Sequence, residues 1–374
     1  MKKKYIVSSI ILIFIILVIV IMFVIYQKNI NISVADVELD IENNNESQEV
    51  NYGWEWKYDT PENYGINSND INSLYNRYDF SQVYSTVIIK NDHIINEYYK
   101  DGYDKNSIFT LQSCSKSITS ALIGIAIDKG YIKDVNVNIS EYFPQIENYN
   151  NEYLKDITIW HLLTHTSGLN ISDDAIWYEW RASDNWVDFA LSQPSIAPPG
   201  QVFDYSTAGT HLLAAILEKA TGKSLYEFGK ENLFDLIGMS SVQCETDPQG
   251  VGDGGNGFSM TPYDMAKFGR LYLNGGNWEG KQIISKEYIE ESIKIQYDRS
   301  SGYADYDYQW WIDEYGQNGY TAFWAQGFGG QYIYVVPQLD LIVIFTSNRD
   351  NAINYQGRNS VYWQFMDDLV DIFD

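Results

Sequence analysis

The 374-residue chain carries 50 acidic against 25 basic side chains, for a net charge of −25 and a pI near 4.4. That balance argues against nucleic acid as a partner and against docking on anionic lipid; its plain physical meaning is a solvated, self-repelling surface. Two cysteines, Cys114 and Cys244, make no disulfide framework, no Cys/His cluster has zinc spacing, and no cofactor or metal is expected.

The chain begins with a basic tetrapeptide, and residues 5–26 then form an almost unbroken apolar run. Twenty-two helical residues reach about 33 Å, enough for a hydrocarbon core of about 30 Å. A cleavable signal usually has an apolar region of about 7–15 residues, and Ser33-Val34-Ala35 is a poor, distant cleavage site. An uncleaved single-pass anchor is the preferred reading over cleavage. Lys2, Lys3 and Lys4 precede the run and mainly Lys28 follows it, so the bulk of the protein is expected outside the cell membrane. The expected organisation is a cytoplasmic stub and anchor over 1–28, a flexible acidic stalk over 29–51, and a catalytic unit over 52–374.

Within that unit, residues 83–90 and 93–99 read as a β-hairpin turning at Asn91-Asp92. Residues 107–130 hold a helix that is apolar on every side and is therefore a core helix. From about 134 to 260 the chain reads mainly as a helical lobe, with helices over 157–165 and 212–220 and a glycine-rich loop over 250–257. Residues 262–274 predict another helix, 330–336 and 341–347 a second hairpin, and 361–373 a closing amphipathic helix. The order predicts an α+β fold: an antiparallel sheet flanked by helices, with the helical lobe beside it and the N-terminal transmembrane helix before it.

The core helix opens on Ser113-Cys114-Ser115-Lys116. Positions i and i+3 share a helical face, so Lys116 can reach the Ser113 hydroxyl, and the first turn offers unpaired N–H groups for a developing anion. Alone the pattern is unspecific, since roughly one chance Ser-x-x-Lys is expected in a chain this long. Three other stretches bear on chemistry. Tyr205-Ser206-Thr207 heads the second long helix. Trp324-Ala325-Gln326-Gly327-Phe328-Gly329-Gly330-Gln331 precedes the second hairpin. His161 and His165 lie at a metal-ligand spacing, but no Glu completes a zinc motif. His165 also suits the base of a Ser-His-Asp triad, although no Gly-x-Ser-x-Gly elbow supplies its serine.

Taken together, Ser113-x-x-Lys116, the string His161-Leu-Leu-Thr-His-Thr-Ser-Gly-Leu169, Tyr205-Ser-Thr and Gly327-Phe-Gly-Gly-Gln331 resemble the β-lactamase-related serine hydrolases. That group includes class C β-lactamases, D-alanyl-D-alanine peptidases, related esterases and 6-aminohexanoate-dimer hydrolases. The resemblance implies a β-lactamase/transpeptidase-like fold and an acyl-serine mechanism on a small-molecule or peptide-like ester or amide. It casts Ser113 as nucleophile, Lys116 as base and Tyr205 in proton transfer. The backbone N–H groups of Ser113 and Phe328 become the oxyanion hole, and the 161–169 string becomes structural. Two departures stand out: Thr207 occupies a position usually held by Asn, and Ala325 one usually held by Lys or His. Without that cation, carboxylate-bearing substrates are disfavoured. Gln326, Gly327, Trp177 and Trp324 are the expected pocket linings for an uncharged acyl group. A D,D-carboxypeptidase or β-lactamase, and a non-catalytic binding protein that kept the pocket, stand as the alternatives.

Overall fold

Along the central strands successive side chains enter two different hydrophobic cores. In the computed structural model, which describes residues 54–294, 304–350 and 357–373, Ile333, Val335, Ile342 and Ile344 join one core. Their neighbours Tyr332, Tyr334, Val343 and Phe345 join the other. A strand with both faces covered must be apolar on both, which is why residues 331–336 and 341–347 carry so little polar alternation. The anchor and stalk expected over 1–51 lie outside the described residues. No helix among the described residues is long and apolar enough to cross a membrane.

The main sheet has eight strands: β1 (Lys57–Tyr58), β2 (Val83–Lys90), β3 (His93–Tyr99), β4 (Asp305–Asp307), β5 (Trp310–Tyr315), β6 (Tyr320–Gly327), β7 (Gln331–Val336) and β8 (Leu341–Ser347). Their spatial order is β1-β3-β2-β8-β7-β6-β5-β4. Both expected hairpins are present. Asn91 and Asp92 take φ of 48° and 63°, as a two-residue turn matching the strand twist requires. The sheet is mixed, which corrects the purely antiparallel expectation: β1 runs parallel to β3, with Lys57 opposite His93. The entering chain passes the exposed edge of β3 in the same direction, and Asp59 extends the ladder by one bond to Ile94 before Pro61 ends it. Strand β5 carried no clear alternation, because three buried apolar residues in succession, Trp310 to Ile312, are followed by the acidic pair Asp313 and Glu314.

The helices that position the site are α1 (Ser68–Arg77), α2 (Ser115–Asp128), α3 (Asp173–Arg181), α4 (Thr207–Thr221), α5 (Pro262–Leu273) and α6 (Val361–Ile372). Helices α1 and α6 cover one sheet face, where Phe365 meets Tyr75 and Phe345 with ring centroids 5.4 Å apart in each case. Helix α5 covers the other. As its all-round hydrophobicity demands, α2 is buried along its length, from residue 115 to 126. It packs against α4, whose C-terminus is closed by left-handed Gly222.

Trp324 belongs to the α6 face and is fully buried against Trp363, Tyr315 and Tyr334. The expectation that it lines a substrate pocket is therefore corrected: strand alternation sends 324 to one face and 325 to the other. Trp324→Ala should lower the unfolding free energy by about 3–5 kcal/mol, measured by denaturant titration, as emptying a large core site does. A variant of unchanged stability with a raised KM would contradict this placement.

Candidate active site

The turn that carries Ser113 is set by backbone conformation before any side chain acts. Residues 112–114 form a 3₁₀ turn that runs directly into α2, and Gln112 holds φ at 50°, a left-handed value unfavourable for a side-chain-bearing residue. The turn is fixed from three sides. Leu111 N–H donates to Phe258 O at 2.9 Å. Ser115 Oγ accepts from Phe258 N at 3.1 Å. The Cys114 thiol donates to Gln331 O at 3.3 Å. Burial pushes the Cys114 thiol well above its ordinary range, so it is a small packing group beside Ser113 rather than a reactive thiolate.

Lys116 is only 1% exposed. Its Nζ donates to Ser113 Oγ at 2.9 Å, Thr207 Oγ1 at 2.8 Å and Gly255 O at 3.1 Å, which uses all three hydrogens of an ammonium. Burial lowers its pKa to about 8, against the charges of Asp173 and Asp253, which raise it. An amine held there converts readily between proton donor and acceptor near neutral pH. Nζ also lies 5.0 Å from the centroid of the Tyr205 ring. Ser113 Oγ in turn donates to Asn256 Oδ1 at 3.1 Å.

Asn256 was not legible in the sequence; its one signal was being a polar side chain in the glycine-rich run 250–257. The run is glycine-rich because it is pressed onto α2 and α4: a Cβ at Gly255 would stand 2.4 Å from Thr207 Cγ2. Asp253 organises it, accepting from the N–H groups of Gly255 at 3.2 Å and Asn256 at 3.1 Å. Arg181 binds the same carboxylate at 2.7 Å and lies 4.0 Å from the Trp186 ring. Residues 173, 177 and 181 are four apart on α3, so one stripe meets both Thr207, through Asp173, and the Asp253 loop, through Arg181. Trp177 stands half-buried between them.

The 161–169 string builds a support for Tyr205. His161 is occupied in a capping box with Thr158. His165 Nε2 lies 3.1 Å from Tyr306 Oη, its ring centroid is 4.7 Å from that of Tyr205, and its carbonyl accepts from Asp204 N–H at 2.8 Å. Both histidines are thus committed to structure, and no group of metal-ligating side chains occurs among the described residues.

On the opposite wall, the ladder between β5 and β6 ends at Trp311–Trp324, and residues 325–327 run on to meet the turn that carries Ser113. A Cβ at Gly327 would lie 2.1 Å from Leu111 O, so glycine is the one residue that allows this approach. Phe328 follows at the turn into β7, 43% exposed. Ala325 is buried on the α2 side and puts no cation near Ser113. Gln326 is only 6% exposed and accepts from Trp324 Nε1 at 3.1 Å, which ties it to the α6 face. The structure therefore gathers Ser113, Lys116, Tyr205, Thr207 and Gly327, and keeps Trp324 away.

A mixed sheet flanked by helices, with a serine and a buried lysine at the head of the core helix, defines a serine hydrolase of the β-lactamase/transpeptidase type. The chain belongs to the beta-lactamase family, whose model matches residues 74–362. It is 24% identical over 293 residues to the 6-aminohexanoate-dimer hydrolase of Paenarthrobacter ureafaciens, covering 70% of this chain and 71% of that one. It is 23% identical over 295 residues to penicillin-binding protein 4 of Amycolatopsis lactamdurans, covering 67% and 74%. A solved structure from Bacillus anthracis, assigned as a 6-aminohexanoate-dimer hydrolase, superimposes with a TM-score of 0.67 at 25% identity over 81% of both chains.

Proposed function

We propose that the protein cleaves an uncharged carboxylic ester or amide through an acyl-serine intermediate. Ser113 attacks the carbonyl, the neutral amine of Lys116 takes its proton, and Tyr205 shares in passing that proton to the leaving group. The backbone N–H groups of Ser113 and Phe328 receive the developing oxyanion, a contribution worth about 10²–10³ in rate for each donor. The observation that carries this reading is the buried Lys116 amine, 2.9 Å from Ser113 Oγ with its pKa drawn down to about 8. The buried Ala325 supports an acyl group without a carboxylate, and Trp177 on the α3 stripe and Gly327 beside the nucleophile turn supply surface for it. Similarity to a penicillin-binding protein favours, as second reading, a D,D-carboxypeptidase or β-lactamase. The apolar run over 5–26 supports a single-pass anchor with the catalytic unit outside the membrane.

Intact mass after treatment with a fluorophosphonate should show one adduct, mapped to the peptide containing Ser113. A panel of p-nitrophenyl esters, linear amides, D-Ala-D-Ala peptides and nitrocefin then assigns the branch. No adduct and no turnover anywhere in the panel would leave a binding protein, and rapid nitrocefin turnover would favour the second reading.

A further inference from the structure

We propose that Asp173 is a positioning residue for the Ser113–Lys116 pair, acting through the hydroxyl of Thr207; the proposal rests on the acyl-serine reading. The Asp173 carboxylate accepts twice from the same residue, from Thr207 N at 2.7 Å on Oδ1 and from Thr207 Oγ1 at 2.7 Å on Oδ2. Asp173 N–H donates to Tyr205 O at 3.1 Å, so the start of α3 and the Tyr205-Ser206-Thr207 segment are joined at three points. An ionised carboxylate has no hydrogen to give. The single hydroxyl hydrogen of Thr207 is therefore committed to Asp173, and the side of Oγ1 facing Lys116 Nζ, 2.8 Å away, offers a lone pair.

This polarity decides what a neutral lysine can do. A neutral amine has two hydrogens and one lone pair. Gly255 O can only accept, and Thr207 Oγ1, with its hydrogen taken by Asp173, can also only accept from Nζ. Those two partners take both hydrogens. The remaining lone pair is directed at the third neighbour, Ser113 Oγ at 2.9 Å, whose hydrogen swings from Asn256 Oδ1 onto the amine. The Ser113 O–H bond breaks as the Nζ–H bond forms, giving alkoxide and ammonium within the same triangle of contacts. Were the Thr207 hydroxyl free to rotate, it could donate to Nζ and occupy the lone pair the serine needs. An asparagine in place of Thr207 would not need this control, because an amide oxygen accepts by its own nature. Asp173 thus does for a threonine what the amide does by itself.

The groups facing the Lys116 amine are Asp173 from α3, Asp253 from the glycine-rich loop, the Cys114 thiol from its own turn, and the Tyr205 ring. Asp173→Asn keeps the size, but its amide nitrogen turned toward Thr207 Oγ1 donates and frees the hydroxyl hydrogen. It also removes a charge that holds the amine pKa up, so the alkaline-rising limb of kcat/KM moves to lower pH.

The test measures the loss caused by Asp173→Asn in two backgrounds, with an activated ester as substrate. In the native background kcat/KM at the plateau should fall about 100-fold, within the range for general-base catalysis. In the Thr207→Asn background the same change should cost under about fivefold, with the limb shifted to lower pH in both. Equal losses in the two backgrounds, whether from misfolding or from altered packing, would make Asp173 a structural anchor and overturn the proposal. Fluorophosphonate labelling of the native protein is read first: its absence defeats the acyl-serine reading and this proposal with it, whereas labelling with equal losses defeats this proposal alone.

Discussion

Ser113→Ala should bring ester hydrolysis down to background, a loss on the order of 10⁶-fold in kcat, as removal of the group that forms the covalent bond costs. It should also remove the fluorophosphonate adduct completely. The hydroxyl lies against Lys116 Nζ at 2.9 Å and Asn256 Oδ1 at 3.1 Å. Its removal leaves the buried residues of α2 untouched and costs two side-chain hydrogen bonds, each worth about 1 kcal/mol. Loss of activity with a drop of only a few degrees in the unfolding midpoint is therefore expected. Residual turnover at more than a few per cent of the native value would assign the nucleophile elsewhere.

Lys116→Met should lower kcat/KM by about 10²–10⁴, the span of general-base catalysis, and should change the pH profile as well as its height. The sign follows from burial. Desolvation disfavours the ammonium and draws the pKa down to about 8, while the carboxylates of Asp173 and Asp253 pull the other way. The active form is the neutral amine, so native activity rises with pH through about 8, and the variant should lack this limb. Because the amine is enclosed, the apparent pKa should move little with salt. A limb that persists in Lys116→Met would belong to another group.

Much of the fold was legible because its signals are local. Residues 83–90 and 93–99, joined by Asn91-Asp92, and residues 341–347 form the strands their composition dictates. The C-terminal helix begins at Val361, where Ser360 caps it. Trp324 was misplaced for a physical reason: strand alternation assigns faces only once register is known, and an aromatic next to a glycine run reads equally well as core or pocket. Strand β1 was missed because two residues carry no period, and its parallel pairing depends on where the chain passes β3. Asn256, Asp173 and Arg181 were missed because they lie far in sequence from Ser113, and only the packing of α3, α4 and the loop over 250–257 brings Asn256 to Ser113, Asp173 to Thr207 and Arg181 to Asp253.

By itself the sequence placed Lys116 beside Ser113, because a spacing of three on a helix is enough to bring the two side chains together, and Nζ lies 2.9 Å from Oγ. It also determined the identity of the core helix, through apolarity on every side, and the absence of a cation at 325. Only the tertiary structure decided how the amine is surrounded. Its two remaining partners, Thr207 and Gly255, come from segments about ninety or more residues away, and the carboxylate that orients Thr207 comes from a third. A hydrogen-bond direction depends on the whole set of neighbours, and that set exists only after the chain has folded.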